Sequence, residues 1–243
     1  MSNLFLASLS RDDYSRIEPH LEAADLPLKF YPHRAGPPIE YCHFPERGTS
    51  LCELVRLPDG SEVEAGIIGR EGVVGLAALL PCNAAPCDCI VQVPGRSLRI
   101  RANILREQIA ARPAILERAF RFAMELSIQV TQTAVCNVRH PLNKRLARWI
   151  LMVHDRAEIS VLPLTHEVLS IMLGVRRAGV SVAAHELSEN GAIRYTRGTI
   201  TIVDRQKLEE SCCECYAELK TRIDRSLHPP ARSPVARHRA VAD

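Results

Sequence analysis

The chain has 243 residues, 47% of them hydrophobic, enough for two domains of ordinary size with buried cores. It contains no run of about 18 apolar residues. Met1 to Ser10 also lacks a basic start followed by a long apolar stretch, so the expectation is a cytoplasmic protein with neither a membrane span nor a secretory signal. The net charge of +3 is unevenly spread: residues 1–103 carry 10 Lys/Arg against 13 Asp/Glu, whereas residues 139–207 carry 11 against 6, an excess that suits a phosphate-backboned partner.

Residues 28–103 read as strands. Short runs rich in Val and Ile are separated by turn chemistry at Pro37-Pro38, Pro58-Asp59-Gly60, Gly69, Gly72 and Pro94-Gly95. The clearest hairpin joins Leu51–Leu57 to Ser61–Ile68 through Pro58-Asp59-Gly60. Strands this short, with turns this frequent, suggest a β-roll or barrel rather than βαβ units. The texture changes near Ile104. From Pro113 to about Asn137 a helix is expected, with Pro113 suited to its first turn. Leu116, Phe120, Ala123, Ser127, Val130 and Ala134 alternate at four- and three-residue steps. Such a seam belongs either to a helix packed on its own domain or to a dimerisation helix, and the second is the sharper reading.

Pro141 ends this helix and another begins near Leu142. Thr165 is a good N-cap for a helix burying Val168, Leu169 and Met172. Leu173-Gly174-Val175 makes a tight turn with Gly174 fit for a left-handed position. A second helix runs from Arg176 to Glu189 with Val180, Ala183, Ala184 and Leu187 as its buried stripe, and Asn190-Gly191 ends it. Ala192–Tyr195 and Thr199–Val203 then alternate as a hairpin about Thr196-Arg197-Gly198. Helix, Gly-containing turn, helix and hairpin in this order read as a winged helix-turn-helix. The Pro-rich stretch from His228 to Asp243 reads as a disordered tail.

Three stretches resemble the CRP/FNR family of bacterial regulators: Arg145–Leu151, the run from Leu164-Thr165 through Leu173-Gly174-Val175-Arg176-Arg177 to Gly191, and Gly69-Arg70-Glu71-Gly72-Val73-Val74-Gly75-Leu76. Together with the elements above, the resemblance implies an α+β protein in four parts. These are a cyclic-nucleotide-type β-roll sensor at 1–103, a dimerisation helix at 104–138, a winged helix-turn-helix at 139–227 and a tail at 228–243. The implied function is a homodimeric regulator paired through residues 113–137. It would bind double-stranded DNA at an inverted-repeat operator, take RNA polymerase as a further partner and respond to an effector at Gly72, Gly75 and Leu76. Two departures separate the chain from well-known relatives. Leu76 stands where cyclic-nucleotide binders carry a Glu, and Cys87-Asp88-Cys89 supplies no Arg. Residues 1–41 also lack the cysteine cluster of iron–sulfur members.

Arg176 and Arg177 fall at the start of the second helix, where an Arg can bind guanine O6 and N7 together. Ala178, Ser181, Val182 and His185 lie on the outward face, Val182 suited to a thymine methyl. Thr165, Arg194 and Arg197 are candidates for phosphate contacts. No catalytic residue, cofactor or metal site is assigned. His166-Glu167 lacks a second His at metalloprotease spacing, and neither a Gly-x-Ser-x-Gly elbow nor a P-loop occurs; an unrecognised Cys–His enzyme site is the remote alternative. Nine cysteines with no secretory start argue against a disulfide scaffold. The closer alternative is a metal- or thiol-redox-sensing regulator using Cys82, Cys87 and Cys89, with Cys212, Cys213 and Cys215 as a second group.

Overall fold

The computed structural model describes residues 2–227, so the tail expected at 228–243 lies outside the described residues. The chain opens with two short helices that the sequence reading did not anticipate, α1 (Leu4–Ala7) and α2 (Arg11–Ile17). Asn3 and Ser10 cap them, each side-chain oxygen accepting from a backbone N–H two or three residues inside the helix. Six strands follow: β1 (Glu22–Leu26), β2 (Tyr41–Pro45), β3 (Ser50–Arg56), β4 (Glu62–Ile68), β5 (Asp88–Val93) and β6 (Gly95–Arg101). The strand block therefore begins earlier than expected. The stretch between β1 and β2 is irregular, consistent with Pro27, Pro32, Pro37 and Pro38, which offer no N–H to a ladder.

The strands form two antiparallel sheets in the orders β1-β6-β2 and β4-β3-β5. Phe44, Leu51, Ile68, Val74, Val91 and Ile100 fill the space between them. The β3–β4 hairpin closes through Pro58-Asp59-Gly60 as read from sequence. Gly60 takes the left-handed backbone at φ +83°, and Asp59 Oδ1 accepts from Ser61 N at 2.9 Å.

The single helix expected over 104–138 is two helices, α3 (Ala102–Ala111) and α4 (Pro113–Arg139). Arg112 is extended between them, and Pro113 starts α4 where its missing N–H costs nothing. One face of α4 packs Ile115, Ala119 and Phe122 on the roll. Buried Gln129 fixes its height: the side-chain amide donates to Ile67 O at 3.0 Å and accepts from Ile67 N at 2.7 Å. A neighbouring face is left open in the single chain. Phe120 is 64% exposed, Met124 61% and Val138 85%. Of the seam read from sequence, Leu116, Ala123 and Val130 are half-buried, and Ser127 and Ala134 are exposed.

The C-terminal half comprises α5 (Leu142–Ala157), β7 (Val161–Leu162), α6 (His166–Leu173), α7 (Arg177–Glu189), β8 (Ile193–Thr196), β9 (Thr199–Ile202), α8 (Arg205–Glu210) and α9 (Cys215–Leu227). The short strand β7 extends the expected hairpin into a three-stranded sheet, β7-β9-β8. Its core is continuous with the roll: Cys52, Leu54, Ile67 and Val93 pack into one apolar cluster with Leu146, Trp149, Leu169 and Leu173. Across that seam Trp149 Nε1 donates to buried Glu64 at 2.8 Å, and within the roll Gln92 Nε2 donates to the same carboxylate at 2.6 Å. Burial pushes the Glu64 carboxyl up to about 7 against the pull of those two donors.

Candidate nucleic-acid interface and sensor cavity

Thr165 Oγ1 accepts from Val168 N at 3.1 Å and starts α6. Gly174 ends it at φ +62°, where a side chain would be strained. Leu169, Met172 and Leu173 are buried beneath, with Val168 half-buried. Arg176 is extended and acts as the N-cap residue of α7, so the helix proper starts at Arg177, one residue later than the sequence reading placed it. Val180, Ala183, Ala184 and Leu187 form the buried stripe of α7. Gly179 lets α7 approach α5 closely, since a Cβ there would lie 3.1 Å from Leu142 Cδ2.

The opposite face of α7 presents Arg176, Arg177, Ala178, Ser181, Val182 and His185, all exposed. Val182 is 61% exposed, an apolar side chain set on the surface. Ser181 is committed within the protein, because its hydroxyl lies 2.9 Å from His166 Nδ1 and also donates to Arg177 O. His166 in turn stacks on Tyr195 of the wing at 4.1 Å between ring centroids. A chain of contacts thus ties α7, α6 and the β8–β9 hairpin together through His166, which the sequence reading did not single out for this role. Burial, with the nearby Arg177 charge, holds the His166 pKa below its ordinary value, so the ring is neutral near pH 7. Arg194 and Arg197 are exposed on the wing, and Gly198 makes its turn at φ +76°.

Residues 144–211 match the family model described as a Crp-like helix-turn-helix domain. The chain carries a Crp-like helix-turn-helix domain. Beyond that domain its fold resembles that of solved regulators of the crp/fnr family. A crp/fnr-family regulator from Eubacterium rectale is 16% identical, with a TM-score of 0.67 over 84% of this chain and 95% of its own. FixK2 from Bradyrhizobium japonicum is 15% identical, with a TM-score of 0.66 over 79% and 98%. The c-di-GMP responsive regulator CLP of Xanthomonas campestris is 14% identical, with a TM-score of 0.65 over 80% and 100%. No curated protein sequence matches. Among the described residues no single helix is long and apolar enough to cross a membrane.

Upstream of the Crp-like domain, the loop Gly69–Leu76 has two ends with different surroundings. At one end Gly72 is covered by α4: a Cβ on it would lie 2.1 Å from Phe122 Cζ. Glu71 beside it pairs with Arg156 of α5 at 2.7 Å, both side chains nearly buried. At Gly72 the loop is a packing joint, closed by the Phe122 ring. At the other end Gly75, at φ +94°, and Leu76 line a cavity of about 350 Å³ between the roll and α4. Its polar groups include Glu53, His33, Ser127 and Thr131, and neither Lys nor Arg lines it. Burial lowers the His33 pKa to about 4 and raises that of Glu53, so the lining carries no cation at neutral pH. Asp88, in the stretch that supplies no Arg, is itself paired. It accepts from Ala35 N and pairs with Arg34 and Arg56. Arg70, Arg96 and Arg99 pair with Glu158, Asp25 and Glu22. An anionic phosphate entering the cavity would lose water without gaining a counter-charge, a loss of several kcal/mol. Calorimetry is expected to give dissociation constants for cyclic AMP and cyclic GMP weaker than about 10 μM, roughly −7 kcal/mol; tighter binding of either would overturn this reading of the cavity.

Cys82, Cys87 and Cys89 do not converge as the sequence alternative required. Cys82 is exposed, whereas Cys87 and Cys89 are buried. Burial pushes the Cys87 thiol up to about 12 and raises the Cys89 thiol well above its ordinary value, which disfavours the free thiolate that redox sensing needs.

Proposed function

We propose that the chain is a homodimeric, sequence-specific transcriptional regulator that reads an inverted-repeat operator with α7. The observation that carries this reading is the outward face of α7 within the Crp-like domain. It opens on two exposed arginines and continues with an exposed Val182. The start of the second helix of such a motif enters the major groove, and an Arg there binds guanine through two hydrogen bonds. Thr165, Arg194 and Arg197 flank that face and suit phosphate contacts. The open face of α4 around Phe120, Met124 and Val138 supports pairing of two chains along this helix. A two-fold axis there would set two α7 helices on half-sites about one helical turn apart. The cavity containing Gly75 and Leu76 is the proposed effector site, with a neutral ligand as the chemistry its lining suits.

Selection of bound sequences from a random DNA pool tests the proposal. Arg177→Ala is expected to cost about 1–3 kcal/mol on the selected site and to relax preference at one base pair per half-site. Arg197→Ala is expected to weaken all sequences alike and to flatten the salt dependence. An Arg177→Ala profile with unchanged base preference would remove this residue from readout, and failure to enrich any sequence would overturn the proposal itself.

A further inference from the structure

Four donor groups that the sequence reading left in separate places come together at the lower end of α4. They are Cys136 in the last turn of that helix, His140 just past its end as the C-cap residue, Cys213 just before α9 and Cys215 at its first position. Their ligand atoms all lie within 4.8 Å of one another, and three of the four residues are buried. Cys136 Sγ is 3.5 Å from Cys213 Sγ, and Cys215 Sγ is 3.7 Å from His140 Nδ1. A tetrahedral zinc ion with Zn–S near 2.3 Å and Zn–N near 2.0–2.1 Å separates its ligands by about 3.5–3.8 Å. The observed spacings are those of a tetrahedron's edges.

The surroundings match as well. His140 turns Nδ1 toward the sulfurs, while its Nε2 lies 3.1 Å from Glu214 Oε1. An Nε2–H donated to that carboxylate leaves the Nδ1 lone pair for a metal, the carboxylate–histidine arrangement that orients imidazole ligands. Gln132 Nε2 donates to Cys215 Sγ at 3.0 Å. Three thiolates around a divalent cation leave one net negative charge. Arg148 lies beside Cys136, only 3% exposed, with an Nε that has no hydrogen-bond partner among the described residues. A buried guanidinium of this kind is favoured by a nearby anionic centre.

We propose that Cys136, His140, Cys213 and Cys215 form a tetrahedral site for a thiophilic divalent cation, with Zn²⁺ the best fit. Binding displaces the thiol protons to solvent and closes a link between the end of α4 and the start of α9, across the Pro141 break. Cys212 is not among the four donors; its sulfur faces Lys144 O instead. The inference goes beyond the DNA-binding reading and its test does not depend on it.

The test is metal content by mass spectrometry on the full chain, purified without oxygen and reconstituted with Zn²⁺ under reductant. It is followed by Co²⁺ replacement read by absorption. The expected result is about one Zn²⁺ per chain and the intense sulfur-to-cobalt charge-transfer bands of a tetrahedral thiolate site. Cys213→Ser should lose the ion. Glu214→Gln changes an exposed side chain, so its fold should persist while Zn²⁺ affinity falls about 10–100-fold. Cys82→Ser, remote from the cluster, should keep full stoichiometry. Less than about a tenth of an equivalent after reconstitution, full retention by both Cys213→Ser and Glu214→Gln, or a Cys136–Cys213 disulfide in the reduced metal-treated protein would overturn the proposal.

Discussion

A Phe120→Glu variant is expected to sediment as a monomer at micromolar concentration and to lose operator binding. Phe120 lies at the N-terminal end of the open face of α4, 64% exposed, with Met124 one turn on and Val138 near the helix end. A two-fold interface buries each contribution twice. Removing two exposed phenyl rings from water is worth roughly 1.5–3 kcal/mol each. Placing two carboxylates in that seam adds a desolvation cost of the same order or larger. The dimer dissociation constant should therefore rise by about a thousandfold or more, at 1.4 kcal/mol per decade. Circular dichroism should be unchanged, because the packed face of α4 is the one bearing Ile115, Ala119 and Phe122. An unchanged dimer by analytical ultracentrifugation would place the interface elsewhere.

The second large effect is expected at Gly72. Its backbone needs no left-handed conformation; what excludes a side chain is the Phe122 ring, whose Cζ and Cε2 would lie 2.1 and 2.3 Å from a new Cβ. Phe122 is itself buried, so neither partner can retreat to solvent. Overpacking of this kind costs about 1–3 kcal/mol for a methyl, and Gly72→Val should exceed that range. Denaturant unfolding of the unliganded protein measures it. A Gly72→Ala/Phe122→Leu pair should recover part of the loss, since removing the ring opens the space. Were Gly72 kept only for an effector, Gly72→Ala would leave the stability of the unliganded protein unchanged.

Much of the DNA-binding half was legible because its signals are local. The cap at Thr165, the left-handed Gly174 and the stripe Val180, Ala183, Ala184 and Leu187 each act within one or two turns, and the structure carries all of them. Pro113 likewise marked the start of α4. What sequence missed depended on distant partners or on short elements. The helices α1 and α2 are too short to show a period, and the two-residue β7 exists only because β9 pairs with it. Gly72 looked like part of a ligand loop because Phe122, fifty residues away, was not visible as its neighbour. The cysteine–histidine cluster escaped for the same reason. Cys136 and His140 lie four residues apart, a spacing present in the sequence, though His140 falls just past the end of α4. Only the tertiary fold brings Cys213 to within 3.5 Å of Cys136.

The apolar seam between the roll and the helix-turn-helix bears on how the two halves can move. Cys52, Leu54, Ile67 and Val93 belong to the same core as Trp149 and Leu173, and Glu64 is held from both sides of that boundary. Swinging the helix-turn-helix half away would expose this surface and take the Trp149 donor from Glu64, leaving the carboxyl with Gln92 alone. Pro141 therefore marks a joint in topology across which the core runs unbroken, and any repositioning of α7 must exchange one set of cross-boundary contacts for another.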